Sequence, residues 1–447
     1  MFKYLLLQAS LLSLFCFDSV WAGRYGQVGV AVEGSSQGSE CSYQEVQKSR
    51  IDTRVDEAAL DFKNNISKIL GSTVFQDNSI QSLYQFIQEN KDQWEPSSDH
   101  SYSLLKTNGE SLPVGIEKGS ENRIFLSFGV PELIGEGNSK VVYKMYELEK
   151  LKKIAKSEYK EKKISDGSRH QDFSELQKEI EIIKKINRPG ETKKKWMVDV
   201  YSSNDKRVYS EFFDGDLVDF VQREGYFLKD RNKHHFKRDY AKLDIALQML
   251  QGMEEMHHLG IVHSDIKLGN FLISEVAEYQ YQVAFIDFGL SFDVNALLLP
   301  KDSSGIDPVI RGGTFHFAAP EVFLPATGWL GGSNDEKIEN AKKRDVYSMA
   351  VSLAVLFGFR GLVPWLYGAC DHVSYHFGFS AYLECRAYFQ FVYKNKISYF
   401  SERIKREMIR LLLSAMSDEP SSRINAEAFR KQFEEIKQRY EQNTVPL

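Results

Sequence analysis

Cysteine is scarce in this chain, with four in 447 residues. None forms a Cys-x-x-Cys pair and no His/Cys cluster has zinc spacing, which argues against a disulfide-stapled module and a structural zinc site. Without the leader described below, Cys41, Cys370 and Cys385 remain, an odd number that leaves at least one free or paired between molecules. A strong charge of either sign is also missing. The formal net charge of −5 gives no global basic field, so nucleic acid is not implied as a partner. Beyond the N-terminus no apolar run is long enough to span a bilayer, so the mature protein is expected to be soluble. What is there is ample hydrophobic content, 42%, enough for one large core or two.

Residues 1–22 read as a secretory signal peptide: Lys3 begins it, an apolar run follows from Leu5 to Phe17, and Ser19-Val20-Trp21-Ala22 puts small residues where signal peptidase reads. From 23 to about 120 the chain is an extension of a different kind. Gly23 to Ser42 is a Gly/Ser-rich arm, and Val55 to Trp94 carries helix-like spacing at Leu60, Ile66, Ile69 and Leu70, then Ile80, Leu83 and Phe86. Asn65-Ile66-Ser67 matches an N-glycosylation acceptor, a pattern short enough to arise by chance. Pro96 to Ser120 is polar with scattered Gly and Pro and reads as a linker.

The informative stretch is His263-Ser264-Asp265-Ile266-Lys267-Leu268-Gly269-Asn270. It sets a carboxylate, an ammonium and an amide at short offsets, after a long apolar-periodic segment (Leu243, Leu247, Leu250) and before the β-type run Phe271-Leu272-Ile273. That is how a loop between a helix and a hairpin would be written. Further on, Asp287-Phe288-Gly289 follows the apolar run Val283-Ala284-Phe285-Ile286, so a second carboxylate ends a buried strand.

These two stretches resemble the catalytic loop and the magnesium-binding triplet of protein kinases, and the resemblance extends over about 125–440. It implies an α+β fold of two lobes, a small β-rich N-lobe with one key helix and a large, mainly helical C-lobe. It further implies transfer of the γ-phosphate of ATP to a protein hydroxyl. In that reading Asp265 orients the attacking hydroxyl and Lys267 neutralises the transferring phosphate. Asn270 and Asp287 hold Mg2+ through oxygen, which suits a hard cation.

Ile134-Gly135-Glu136-Gly137-Asn138-Ser139-Lys140-Val141-Val142 resembles the glycine-rich loop over the phosphates, with Gly135, Gly137 and Val142 at nucleotide-binding places and Lys140 where the family has a third glycine. The strand lysine for the phosphates fits less well. The family's spacing counted from Val142 lands on Ser157, and the adjacent Lys156 is taken for the role with a one-residue shift. Phe173 to Ile186 reads as a helix with apolar positions Leu176, Ile180 and Ile183, and its Glu179 matches the glutamate that fixes the lysine. Val208 to Leu217 resembles the last N-lobe strand and hinge, where backbone groups of Glu211 and Phe213 would meet the adenine edge.

Downstream, Gly313 to Glu321 resembles the substrate-binding end of the activation segment, Asp345 would brace the catalytic loop, and Arg423 would pair with Glu321. Lys267, two residues after Asp265, is similar to serine/threonine rather than tyrosine kinases. Ser264 stands where regulated kinases carry arginine, so activity is expected not to require loop phosphorylation. Two functional readings stand: an active serine/threonine kinase, or a pseudokinase acting as a nucleotide-binding scaffold. The leader implies export, either as a secreted bacterial effector delivered into a host cell or as a lumenal or extracellular kinase.

Overall fold

A computed structural model describes residues 94–444, apart from the loop tip 137–139, the spans 228–234, 296–312 and 324–332, most of 360–399 and several shorter turns. The leader, the arm with Cys41, the helix-like stretch up to residue 93 with Asn65, and the loop residue Gly137 therefore lie outside the described residues.

The strands of the N-lobe are β1 (Trp94–Pro96), β2 (Ser103–Thr107), β3 (Glu110–Lys118), β4 (Ile124–Phe128), β5 (Glu132–Glu136), β6 (Lys140–Glu147) and β7 (Lys152–Tyr159). Two short strands, β8 (Lys162–Lys163) and β9 (Arg169–His170), pair with each other, and β10 (Val200–Ser203) and β11 (Arg207–Glu211) complete the main sheet. Its order is β1-β2-β3-β4-β6-β7-β11-β10, with β5 on β6. The polar run expected to be a linker is thus strand: β2 and β3 pair with each other, and β3 pairs with β4 from Val114↔Phe128 to Lys118↔Ile124. Leu112, Val114 and Ile116 do alternate along β3, but Pro113 and Gly115 between them give the run the look of a loop. The main-chain ladder holds the strand, and it carries one buried acid, Glu117.

This sheet curls. Phe125 on β4 stacks on Tyr209 on β11 with ring centroids 4.3 Å apart, although β6 and β7 separate their strands. Met145 and Ile154 fill the space between, closing a small core on the face away from the helix α1 (Ser174–Ile186). The buried line of α1 runs through Leu176, Glu179, Ile182 and Ile186, displaced from the expected stripe, and this turns Glu179 inward.

The C-lobe begins with β12 (Gly215–Asp216) and α2 (Leu217–Phe227), then α3 (His235–His258). The hairpin β14 (Phe271–Ala277) and β15 (Gln280–Phe285) follows the short strand β13 (Ile261–Val262), which pairs with β16 (Phe292–Asp293). Packing of α3 on β15 is close at Gly252, where an added Cβ would come within 2.7 Å of the Phe285 ring and 2.9 Å of Trp196. The central helix α4 (Asn334–Phe357) is buried almost throughout from Arg344 onward, as expected of a helix apolar on all sides. It starts well before the Arg344-Asp345 motif: Ser333 and Glu336 form a reciprocal capping box ahead of two polar turns. Helices α5 (Glu402–Ala415) and α6 (Ala426–Thr444) pack Leu412, Phe429 and Phe433 into the same core.

One disulfide is present despite the scarcity of cysteine: Cys370 and Cys385, both buried, are bonded with Cα atoms 5.6 Å apart. Folding brings them together across 15 residues. Among the described residues no helix is long and apolar enough to cross a membrane.

Candidate active site

The catalytic-loop stretch lies between α3 and the β14–β15 hairpin, and Asp345 of α4 anchors it. The Asp345 carboxylate accepts from the backbone amides of His263 (2.7 Å) and Ser264 (2.9 Å) and lies 3.1 Å from His257 Nε2. Burial alone would raise this carboxyl, but the contacts with His257 and His263 outweigh it and hold it below the usual range. Ser264 takes a left-handed conformation, φ 68°. The activation segment passes so close that a Cβ on Gly313, itself at φ 113°, would meet the Ser264 carbonyl at 2.9 Å. Glycine is the residue that fits there.

Asp265 receives four donors. Thr314 gives its backbone N (2.7 Å) and Oγ1 (2.9 Å) to Oδ1, while Lys267 Nζ (2.8 Å) and Asn270 Nδ2 (3.0 Å) reach Oδ2. Lys267 also reaches Thr314 Oγ1 at 2.7 Å, so carboxylate, ammonium and activation segment form one constellation. The second hydrogen of Asn270 goes to the Asp265 carbonyl at 2.7 Å. With both amide hydrogens so engaged, its oxygen is the atom left for a cation. Asp287 follows β15 in a left-handed conformation at φ 67°. An amide oxygen and a carboxylate make a donor pair that fits Mg2+, which keeps waters and takes phosphate oxygens for the rest of its shell.

The lysine that meets Glu179 is where the structure departs from the sequence reading. In β7 successive side chains point to opposite faces, so Ala155, Ser157 and Tyr159 share one face and Ile154, Lys156 and Glu158 the other. Lys156 therefore turns away from α1 into the curled core. It is fully buried, 2.8 Å from Glu117 Oε1 and 3.2 Å from Glu158 Oε2. A one-residue shift cannot carry it across, because in a strand such a shift reverses the face.

Glu179 meets Lys140 instead. Register pairs Val142 with Ser157 and Lys140 with Tyr159, which puts Lys140 on the α1 side. Its Nζ lies 3.3 Å from Glu179 Oε1 and 3.4 Å from Asp287 Oδ1. Burial would lower the Lys140 ammonium, but Glu179 and Asp287 outweigh that and raise it. Asp287 shows the converse: burial pushes its carboxyl up, while Lys140, His263 and Lys267 prevail and hold it below the usual range. The signal was present in the sequence, since Lys140 is two residues before Val142 and so shares its face. Thr314 and Tyr159, whose hydroxyl donates to Glu179 Oε2, also belong to the site and were not singled out for these roles.

The remaining positions surround this centre. Gly135 lies on β5 opposite Val142, with room for ordinary contact. Glu211 ends β11 with its backbone N donating to the Asp199 carbonyl at 2.8 Å. The Phe213 side chain packs with Val198, Ala284, Leu272 and Ile286. In the C-lobe Arg423 grips Glu321 with two parallel bonds, 2.5 and 2.6 Å, wholly out of water.

Residues 128–433 match the protein kinase domain family. A probable myosin light chain kinase of Dictyostelium discoideum is 33% identical over 189 residues, 42% of this chain and 51% of that protein. The light-sensor protein kinase of Ceratodon purpureus is 31% identical over 203 residues, 42% of this chain and 14% of that protein. Serine/threonine-protein kinase RAD53 of Saccharomyces cerevisiae is 25% identical over 265 residues, 57% of this chain and 29% of that protein. The chain thus matches about half or less of the length of these relatives. Two lobes, the Asp265–Lys267–Asn270–Asp287 constellation and a family match over residues 128–433 lead to one conclusion: the chain belongs to the protein kinase family.

Proposed function

We propose that this chain is a serine/threonine protein kinase that takes the γ-phosphate from ATP, with Lys140 rather than Lys156 as the lysine that holds the phosphates. The observation that carries the reading is the bridge from Lys140 to both Glu179 and Asp287, at 3.3 and 3.4 Å. A cation so held lies between the helix glutamate and the carboxylate that closes the nucleotide site.

The residues then divide the work. Asp265 orients the substrate hydroxyl and receives its proton, held in place by Thr314 and Asn270. Lys267 lies against Asp265 and Thr314, where it neutralises charge on the transferring group. Asn270 and Asp287 would hold Mg2+, which supplies neutralisation of the phosphate oxygens. The Glu211 carbonyl and the Phe213 amide are the hinge groups for adenine. A serine/threonine preference is supported by Lys267 and by relatives named as serine/threonine kinases.

Independence from loop phosphorylation is supported by two features. Ser264 offers no cation to a phosphate, and Lys185 at the end of α1 is already paired with Asp293. Export, as the leader suggests, is supported by the Cys370–Cys385 disulfide, which suits an oxidising compartment.

The test is transfer of labelled γ-phosphate to a generic basic protein by the chain lacking residues 1–22, beside Lys140→Met, Lys156→Met and Lys140→Gly/Ser157→Lys. Loss in Lys140→Met, retention in Lys156→Met and partial recovery in the double variant are expected. A scaffold reading draws on the engagement of Asp287 by Lys140 and expects nucleotide binding without transfer in every variant.

A further inference from the structure

In the lysine arrangement first expected for β7, one side chain would do two jobs: reach the phosphates and tie the strand to α1 through Glu179. With Ser157 at that place, the structure divides the jobs. Lys140 comes from β6, so its contact with Glu179 ties β6 to the helix and leaves β7 without a tether of its own at this position.

Tyr159 supplies one. It lies two residues after Ser157 on the same face of β7, and its hydroxyl donates to Glu179 Oε2 while Lys140 takes Oε1. Tyr159 and Lys140 are direct cross-strand partners. The Lys140 ammonium stands 5.8 Å from the centre of the Tyr159 ring, within reach of its negative face. Both oxygens of the buried glutamate are thus held from adjacent strands, and the aromatic ring borders the ammonium. We infer that Tyr159 is a positioning residue: by fixing Glu179 from β7 and bordering Lys140, it sets the place of the lysine that replaces the strand lysine. This inference rests on the reading of Lys140 as the phosphate lysine.

The experiment reads Lys140 directly. The chain lacking residues 1–22 is treated with an acyl-phosphate derivative of ATP, which acylates the amine nearest the terminal phosphate, and the modified lysine is located by peptide mass spectrometry. Lys140 is expected to be labelled in the parent. In Tyr159→Phe its labelling rate at saturating reagent should fall about tenfold or more, toward the ~100-fold that a 1 Å misplacement of a reacting group can cost, with unchanged thermal unfolding. Tyr159→His, which keeps a ring and a donor, should recover part of the rate. Labelling of Lys140 in Tyr159→Phe as fast as in the parent would overturn the inference and leave the Lys140 reading standing. An unfolded Tyr159→Phe protein would show a structural role only and overturn it as well. Label on Lys156, or on no N-lobe lysine, would instead bring down the reading beneath it.

Discussion

Glu117 offers the sharpest test of how the N-lobe is built, because it comes from the stretch that reads as linker. Its side chain and that of Lys156 are 2% and 0% exposed, and their charges meet at 2.8 Å. Glu117 also accepts from the Tyr209 hydroxyl and lies 3.5 Å from Arg207. Glu117→Gln keeps the shape and an acceptor for Tyr209 but removes the charge. Lys156 then retains Glu158, 3.2 Å away and 33% exposed, and the Tyr143 ring at 5.3 Å.

Breaking a buried pair from one side costs about 3–5 kcal/mol, and with these residual partners the lower end, about 3 kcal/mol, applies. At roughly 2–4 °C per kcal/mol, the unfolding midpoint should fall by roughly 6–12 °C. Adding Lys156→Met removes the stranded cation, and the double variant should return to within about 1 kcal/mol of the parent, since apolar replacement of a buried pair is often neutral. Thermal unfolding of the four proteins measures the coupling. A Glu117→Gln midpoint indistinguishable from the parent's, or no recovery in the double variant, would refute the account of β3 as an integral strand.

Further outcomes follow from other contacts. Arg423→Met should cost about 3–5 kcal/mol by stranding Glu321 in the C-lobe interior, read by denaturant unfolding. Reduction, or Cys370→Ser, should cost about 3 kcal/mol for a loop of this size, and non-reducing peptide mapping should recover the Cys370–Cys385 link. Asp287 titrates below the ordinary value of ~3.9, so its contribution to stability is present above that value and lost as pH falls through the folded one. Lys140→Met should move that loss to higher pH, as read by carboxyl NMR titration. Phosphatase treatment should leave kcat unchanged, whereas Asp293→Asn, which frees Lys185 from its partner, should lower it.

Much of the C-lobe was legible in the sequence because its signals are local. The offsets between Asp265, Lys267 and Asn270 place all three in one loop, and the tertiary structure braces that loop on Asp345 as the resemblance implied and brings it to Thr314, a contact the motifs did not announce. The capping box ahead of α4 is equally readable as Ser-x-x-Glu, although two polar turns separate it from the apolar stripe that starts at Val346.

The N-lobe shows the opposite case. Motif order and spacing by themselves determined the family, the catalytic loop and Glu179 as the helix acid. Which lysine meets that acid depended on strand parity, since adjacent residues of a strand face opposite ways and a near match in spacing puts the ammonium on the wrong side. Only the curled sheet decided that Glu117 reaches Lys156, a contact spanning 39 residues that no periodic pattern announces. Burial of opposite charges across strands is a property of the assembled sheet, and so is the approach of Cys370 to Cys385 in the packed C-lobe.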